Sequence, residues 1–400
     1  MYCFRKVTDD LYWVGGSDRR LELFENIFPL SKGVSYNSYL LMDEKTVLFD
    51  ATDHAIGRQF LENVKAVLNG RALDYLVVNH MEPDHCAMIE DLVLRYPDMK
   101  IIGNAKTFPM ISQFFDFDLE GKTVTVKEGD TFSCGAHTLH FVMAPMVHWP
   151  EAMMTYDEKD KVLFSADAFG TFGALNGNIF NDEVDFDREW LDEARRYYTN
   201  IVGKYGMQVQ NVLKKAAALD IQVICPLHGP IWRTDLDYII GKYDTWSKYE
   251  PEEKGVMIAY ASMYGNTENM AEIFAASLAE AGVKNIRMHN ISKTHVSELI
   301  SDSFKYSHIV LAAPTYNNGI YPLMDNYLED MKALALSNRT AAVLGNGTWA
   351  PQSTKLISAK ISEMKNMRLL ETSVTIKSAV KDSQMEEIGS LARQIAEEVL

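Results

Sequence analysis

Four side chains able to bind a metal fall within six residues at His80-Met81-Glu82-Pro83-Asp84-His85. Imidazoles and carboxylates at this density suit a divalent metal with mixed nitrogen and oxygen ligation. The segment directly follows Leu76-Val77-Val78-Asn79, an apolar run that reads as a strand. Alternate side chains of an extended segment share a face, so His80, Glu82 and Asp84 are expected to converge as the chain leaves that strand. Pro83 fixes one torsion and disfavours a helix at this point, and His85 needs a bend to join the others. A polar loop of caps and salt bridges would account for an isolated His-x-Glu. Three further candidates stand against that reading. His148 follows the apolar run 141–147, Asp167 follows 162–166, and His228 follows 223–227. Each closes an apolar run, where strands deliver functional groups to one rim of a sheet. Four histidines and three carboxylates can fill two coordination shells, and Asp167, with two carboxylate oxygens, is a sensible bridge. Open positions among such ligands suit iron, with zinc and manganese as alternatives. No thiolate biases the set toward structural zinc. His54, His137, His140, His289, His295 and His308 lack such clustering and read as structural or surface residues.

A second signal is Ala261-Ser262-Met263-Tyr264-Gly265-Asn266-Thr267-Glu268, between an apolar strand and a helix. Unpaired N–H groups at a helix start, with the helix dipole, form an anion site, so this loop reads as a phosphate cradle. Gly265 permits the tight turn; Ser262, Asn266 and Thr267 add donors. The bland alternative is a Thr-capped helix after a turn. Two later loops are expected on the same rim, Pro314-Thr315-Tyr316-Asn317-Asn318-Gly319 and Gly345-Asn346-Gly347-Thr348-Trp349-Ala350. Each joins small polar residues to one aromatic and can frame a flat ring, with Tyr316 or Trp349 against its face.

The elements that must position these groups differ along the chain. Before residue 250, short strand-like runs at 39–42, 46–49, 73–78, 139–143, 162–164 and 221–224 mix with helical stretches at 56–68, 105–115, 187–200 and 207–219. Hairpins among them suggest two sheets covered by helices. The charged, proline-bearing stretch 249–254 reads as a boundary, giving domains at 1–250 and 254–400. Beyond it, strands at 256–260, 286–289, 308–313, 341–344 and 373–376 alternate with helices near 267–281, 295–300, 323–336, 354–365 and 384–400. That alternation implies a doubly wound parallel sheet, whose first loop is the expected ligand position.

Composition narrows the function class. With 47 % apolar and 24 % charged residues over 400 positions, the chain can bury sizeable cores. A formal charge of −16 disfavours nucleic acid and anionic membranes as partners. The start lacks a signal-peptide core, and no apolar run is long enough to cross a bilayer. Cys3, Cys86, Cys134 and Cys225 are scattered and form no framework, so a reducing cytoplasm is expected.

Together, the two constellations resemble the flavodiiron proteins, or A-type flavoproteins, and the resemblance spans essentially the whole chain. It rests on the H-x-E-x-D-H run at residues 80–85, on His148-Trp149-Pro150, Asp167 and His228, and on the loop 262–267. It implies an α/β chain in which a metallo-β-lactamase-like αβ/βα domain precedes a flavodoxin-like one. It further implies that His80, Glu82 and His148 hold one iron, that Asp84, His85 and His228 hold the other, and that Asp167 bridges them. FMN is the implied flavin. Hydrolytic members of the wider fold carry His where Glu82 stands, and a carboxylate there favours iron redox chemistry over a zinc hydrolase. Family members often have a Tyr-Gly-Trp-Gly-Gly-like run where this chain has Asn346-Gly347-Thr348-Trp349-Ala350-Pro351. The implied activity is reduction of O2 to water, with reduction of NO to N2O as the alternative at the same site. A metal hydrolase with a flavodoxin-like module, or a flavin carrier with a structural metal, are the weaker readings. No Cys-x-x-Cys pair follows the second half, so a separate electron donor is expected, rubredoxin before another flavoprotein or a deazaflavin. The resemblance also implies a homodimer, or a dimer of dimers, that brings the flavin of one copy to the irons of the other.

Overall fold

The computed structural model describes residues 2–400, which divide into two compact units. One runs up to Tyr198 and includes Met207–Asp244; the other comprises Thr199–Gly206 and Thr245–Leu400.

The first unit contains a seven-stranded and a five-stranded sheet. In the seven-stranded sheet, Leu11–Trp13, Tyr39–Met42 and Thr46–Phe49 pair antiparallel, and Tyr75–Val77, Lys100–Gly103 and Thr123–Thr125 continue it in parallel. Side chains alternate across a strand, and the buried positions follow that period. Tyr39, Leu41, Val47, Phe49 and Val77 enter one core, while Leu40, Leu48 and Leu76 enter another. The first core also takes Phe141, Met153, Val162 and Phe164 from the five-stranded sheet. There the Phe49 and Phe164 rings stack with centroids 3.7 Å apart, so the two sheets face each other. The second core takes Phe60, Val64, Val67 and Leu68 from the helix Gly57–Leu68, one apolar stripe at helical spacing. Burying each such side chain stabilises the fold by roughly 1.5–3 kcal/mol. Asn69, left-handed at φ 47°, ends that helix.

The second unit has the strand order Ile286–Asn290, Glu253–Tyr260, Tyr306–Tyr316, Thr340–Asn346, with Arg368–Leu369 and Val374–Ile376 both on the last. All these pairs are parallel; only Gly319–Ile320 folds back antiparallel. The central strands are buried along nearly their whole length, as a sheet covered on both faces requires. The first and third strands in chain order lie side by side, which opens the crevice at their carboxyl ends.

Three expectations change. The helix expected at 187–200 is broken at Trp190 into Phe186–Glu189 and Leu191–Tyr197, followed by a wider turn at Tyr198–Val202. A helix at Leu236–Ser247 was not anticipated. Glu253 and Lys254 already belong to a strand, so the boundary stretch is not all linker.

Candidate metal centre and flavin cleft

Three of the candidate ligands arrive by the same device. His80, Asp167 and His228 each lie three residues beyond a strand, Tyr75–Val77, Val162–Phe164 and Val223–Cys225 respectively. The last two strands are parallel neighbours, so their exits lie together. Asp50, at the end of Thr46–Phe49, pins the His80 loop: its carboxylate accepts from Asn79 N at 2.7 Å, Asn79 Nδ2 at 2.8 Å and His80 N at 3.1 Å. Burial pushes the Asp50 carboxyl up to about 6, against the pull of those donors. Ala166, just before Asp167, is left-handed at φ 50°, a strained position for a residue with a Cβ.

The extended reading of residues 80–85 needs correction. Pro83 does not prevent a helix; it starts one, Pro83–Cys86, with Glu82 as N-cap. Proline is tolerated in the first turn, where its missing N–H has no partner to lose. The turn separates the carboxylates. Glu82 groups with His80, His148 and Asp167, whereas Asp84 groups with His85 and His228. In each group the ligand-type atoms lie within 4.8 Å of one another. Asp167 spans both: Oδ2 is 3.3 Å from His80 Nε2 and 3.2 Å from His148 Nε2, while Oδ1 is 3.2 Å from His85 Nε2. All seven candidates therefore converge.

Two imidazoles are tied back by their outer nitrogens. His228 Nδ1 donates to the Ser35 carbonyl at 2.7 Å, and His80 Nδ1 donates to Glu151 Oε1 at 2.9 Å. Both Nε2 atoms then face inward, where a metal ion would take them. His228 Nε2 stands 3.0 Å from His85 Nε2, and Asp84 Oδ1, Asp84 Oδ2 and Asp167 Oδ1 are buried with no hydrogen-bond partner. Buried acceptors facing one another are costly, and two divalent ions would satisfy them together. Burial resists charge on His148, yet Asp167 and Glu82 raise it to about 9. Burial opposes ionisation of Asp167, but His80, His85 and His148 hold it well below the usual carboxylate range. Phe24, Tyr36 and Tyr197 ring His228 at centroid distances of 5.5, 5.9 and 5.4 Å, and Trp149 stands 5.5 Å from His80. This wall keeps water from the site and strengthens its electrostatics.

Sequence reasoning missed Asp50, Glu151, Ser35 and Tyr197, whose hydroxyl is buried without a partner. No motif marks them. His137, read as unclustered, does lie with Asp157 and Asp160. There Lys159 Nζ, 2.9 Å from His137 Nε2 and 2.7 Å from Asp10, already supplies the positive charge.

In the second unit a cleft of about 500 Å³ lies at the carboxyl ends of the strands. Ser262, Met263, Tyr264, Asn266 and Thr267 line it, with Pro314, Thr315, Tyr316, Asn317 and Asn318, and with Asn346, Gly347, Thr348 and Trp349. Gly265, Gly319 and Gly345 are not in its lining and shape the loops instead. Gly265 caps the helix Asn266–Glu280 at φ 90°, which glycine alone adopts freely. A Cβ on Gly345 would meet Thr354 Oγ1 at 1.9 Å. The first-turn N–H groups of that helix lack intrahelical partners and suit a phosphate. Tyr264 and Trp349 are 92 % and 86 % exposed, apolar faces ready for a flat ring. Ser378 was missed; its N–H and carbonyl bond the Asn346 side chain at 3.0 and 2.9 Å, so the loop after Val374–Ile376 also reaches the cleft.

Comparisons with known proteins agree with both halves. Residues 34–229 match the family described as ODP family beta lactamase, and residues 258–389 match Flavodoxin. An anaerobic nitric oxide reductase flavorubredoxin of Vibrio vulnificus is 32 % identical over 376 residues, covering 93 % of this chain and 74 % of that one. The solved rubredoxin oxygen:oxidoreductase of Desulfovibrio gigas is 29 % identical with a TM-score of 0.91, covering 99 % and 98 % of the two chains. A flavoprotein from Thermotoga maritima superposes with a TM-score of 0.90 at 25 % identity, covering 99 % and 98 %. Among the described residues, no helix is long and apolar enough to cross a membrane.

Proposed function

The chain belongs to the flavodiiron proteins, and from that premise we propose that it reduces O2 to water, with NO reduction to N2O as a second activity. Membership makes it an oxidoreductase with FMN and a non-haem di-iron centre. The observation that carries the reading is the double pocket joined by Asp167, whose two oxygens face separate groups of His and carboxylate ligands. His80, Glu82 and His148 would hold one iron and Asp84, His85 and His228 the other, with Asp167 between them. The loops 262–267, 314–319 and 345–349 would hold FMN. When bound, the irons and flavin supply the electrons, four for O2 and two for a pair of NO molecules.

The protein's own groups make that chemistry possible. Asp50 holds the His80 backbone and Glu151 its outer ring nitrogen, so that Nε2 points inward. The Ser35 carbonyl does the same for His228. Phe24, Tyr36, Tyr197 and Trp149 exclude bulk water, so a small neutral gas enters more readily than a charged substrate. Electrons come from a separate carrier of the rubredoxin type, the partner named for the Desulfovibrio gigas relative. The working unit is a homodimer or a dimer of dimers in the cytoplasm, with the flavin of one copy serving the irons of the other.

The NO reading keeps its place because the Vibrio vulnificus relative is a nitric oxide reductase. Anaerobic turnover with reduced rubredoxin and each gas, followed over many cycles, decides between them. Sustained O2 consumption is expected. Sustained NO reduction, with inactivation by O2, would reverse the order, and hydrolytic turnover without flavin would end the reading.

A further inference from the structure

The two ligand groups differ in what stands behind their imidazoles. Behind His80 is a carboxylate, Glu151, whose side chain has no exposed surface. Its Oε1 accepts from His80 Nδ1 at 2.9 Å and from Met81 N at 2.8 Å, and its Oε2 is buried with no partner. Behind His228 is only a neutral carbonyl, that of Ser35. His85 Nδ1 is buried and has no hydrogen-bond partner. Glu151 also carries a backbone anchor, since Asn104 Nδ2 donates to its carbonyl at 2.6 Å.

A carboxylate that accepts the outer N–H of an imidazole fixes the ring's tautomer and raises the donor strength of the inner nitrogen. In a water-poor site its charge is weakly screened and acts on any cation nearby. A carbonyl fixes the tautomer without adding charge.

We propose that Glu151 is a positioning residue that acts through His80 to make the two metal positions unequal, so that the iron held by His80, Glu82 and His148 binds more tightly and is harder to reduce than the one held by Asp84, His85 and His228. This rests on the di-iron reading above. Glu151→Gln is the probe, because its amide oxygen can still accept from Met81 N and His80 Nδ1 while the charge is removed.

Ferrous iron is titrated into the whole metal-free protein under anaerobic conditions, in competition with a chelator. The loaded protein is then reduced stepwise and followed by EPR. Wild type is expected to bind two irons with unequal affinity. In Glu151→Gln the tighter iron should weaken by about 10–100-fold, the weaker one should hold, and the two midpoint potentials should draw together. Asn104→Ala, which loosens the anchor but keeps the charge, should preserve the inequality. Equal weakening of both irons, no change in either, or an Asn104→Ala variant that behaves like Glu151→Gln would overturn the inference alone. So would a metal-free Glu151→Gln protein that melts well below wild type, which would assign Glu151 to the fold. A wild-type protein that takes up fewer than two irons would bring down the di-iron reading as well.

Discussion

In the first unit, His80, His85, Asp167 and His228 have no exposed surface, whereas in the second Tyr264 and Trp349 are 92 % and 86 % exposed. The two candidate sites solve opposite problems. Charged ligands buried in a low-dielectric interior must be oriented before any metal arrives, because each unpaired one is costly. Glu151 and Ser35 therefore hold imidazoles from behind, and Asp50 holds the His80 backbone. A flavin brings its own apolar surface, so its site needs only backbone donors and an open aromatic frame. One site is paid for by the fold, and the other is completed by its ligand.

If that contrast holds, substitutions in the two units should separate cleanly. Asp167→Ala removes the two oxygens proposed to join the metal positions and should give the largest effect. Iron content should fall below half an equivalent and turnover by about a hundredfold or more, while FMN content stays at wild type. Loss of flavin in the same variant would break the contrast. Next is Gly265→Val, which forces a β-branched residue into φ 90°. The strain, about 1–3 kcal/mol, should weaken FMN about tenfold or more by fluorescence titration, with iron content unchanged. Trp349→Ala sharpens the same point. The ring is exposed, so stability should move by less than about 0.5 kcal/mol, while FMN binding weakens several-fold through loss of about 1 kcal/mol of stacking. A Tm that drops by many degrees would show that the ring belongs to the core.

The smallest expected effect concerns pH. Burial, with Arg368 and Lys254 adding positive potential, pushes His308 down to about 4. Glu398 lies 3.2 Å from its Nε2 but is itself paired with Arg368. A depressed histidine stabilises the fold fully above its unfolded value near 6.5. As pH falls toward 4 the unfolded chain binds the proton first, and that stability is lost. The loss should be about 1 kcal/mol or less, given partial screening. Melts of wild type and His308→Asn at pH 7 and pH 5 test it: the variant should show the flatter dependence.

The sites were legible in the sequence for different reasons. The candidate metal ligands stood out by type, because His and carboxylates at the ends of apolar runs have few structural uses. The candidate flavin loops stood out by position, after strands of a regularly alternating pattern. What could not be read was local or long-range. The Pro83–Cys86 turn was hidden because proline favours both extended chain and a helix start. Glu151 and Asp50 carry ordinary acidic side chains, and their roles exist only once Met153–Asp157 and Thr46–Phe49 bring their neighbourhoods beside His80. Ser378 was invisible because its role depends on the outer strand Val374–Ile376 pairing with Thr340–Asn346.

The central claim is that one carboxylate joins two metal positions. Anomalous diffraction at the iron edge from iron-loaded crystals tests it most directly. Two peaks are expected, one among His80, Glu82 and His148 and one among Asp84, His85 and His228, with an oxygen of Asp167 on each. A single peak, or two peaks that Asp167 does not touch, would contradict it.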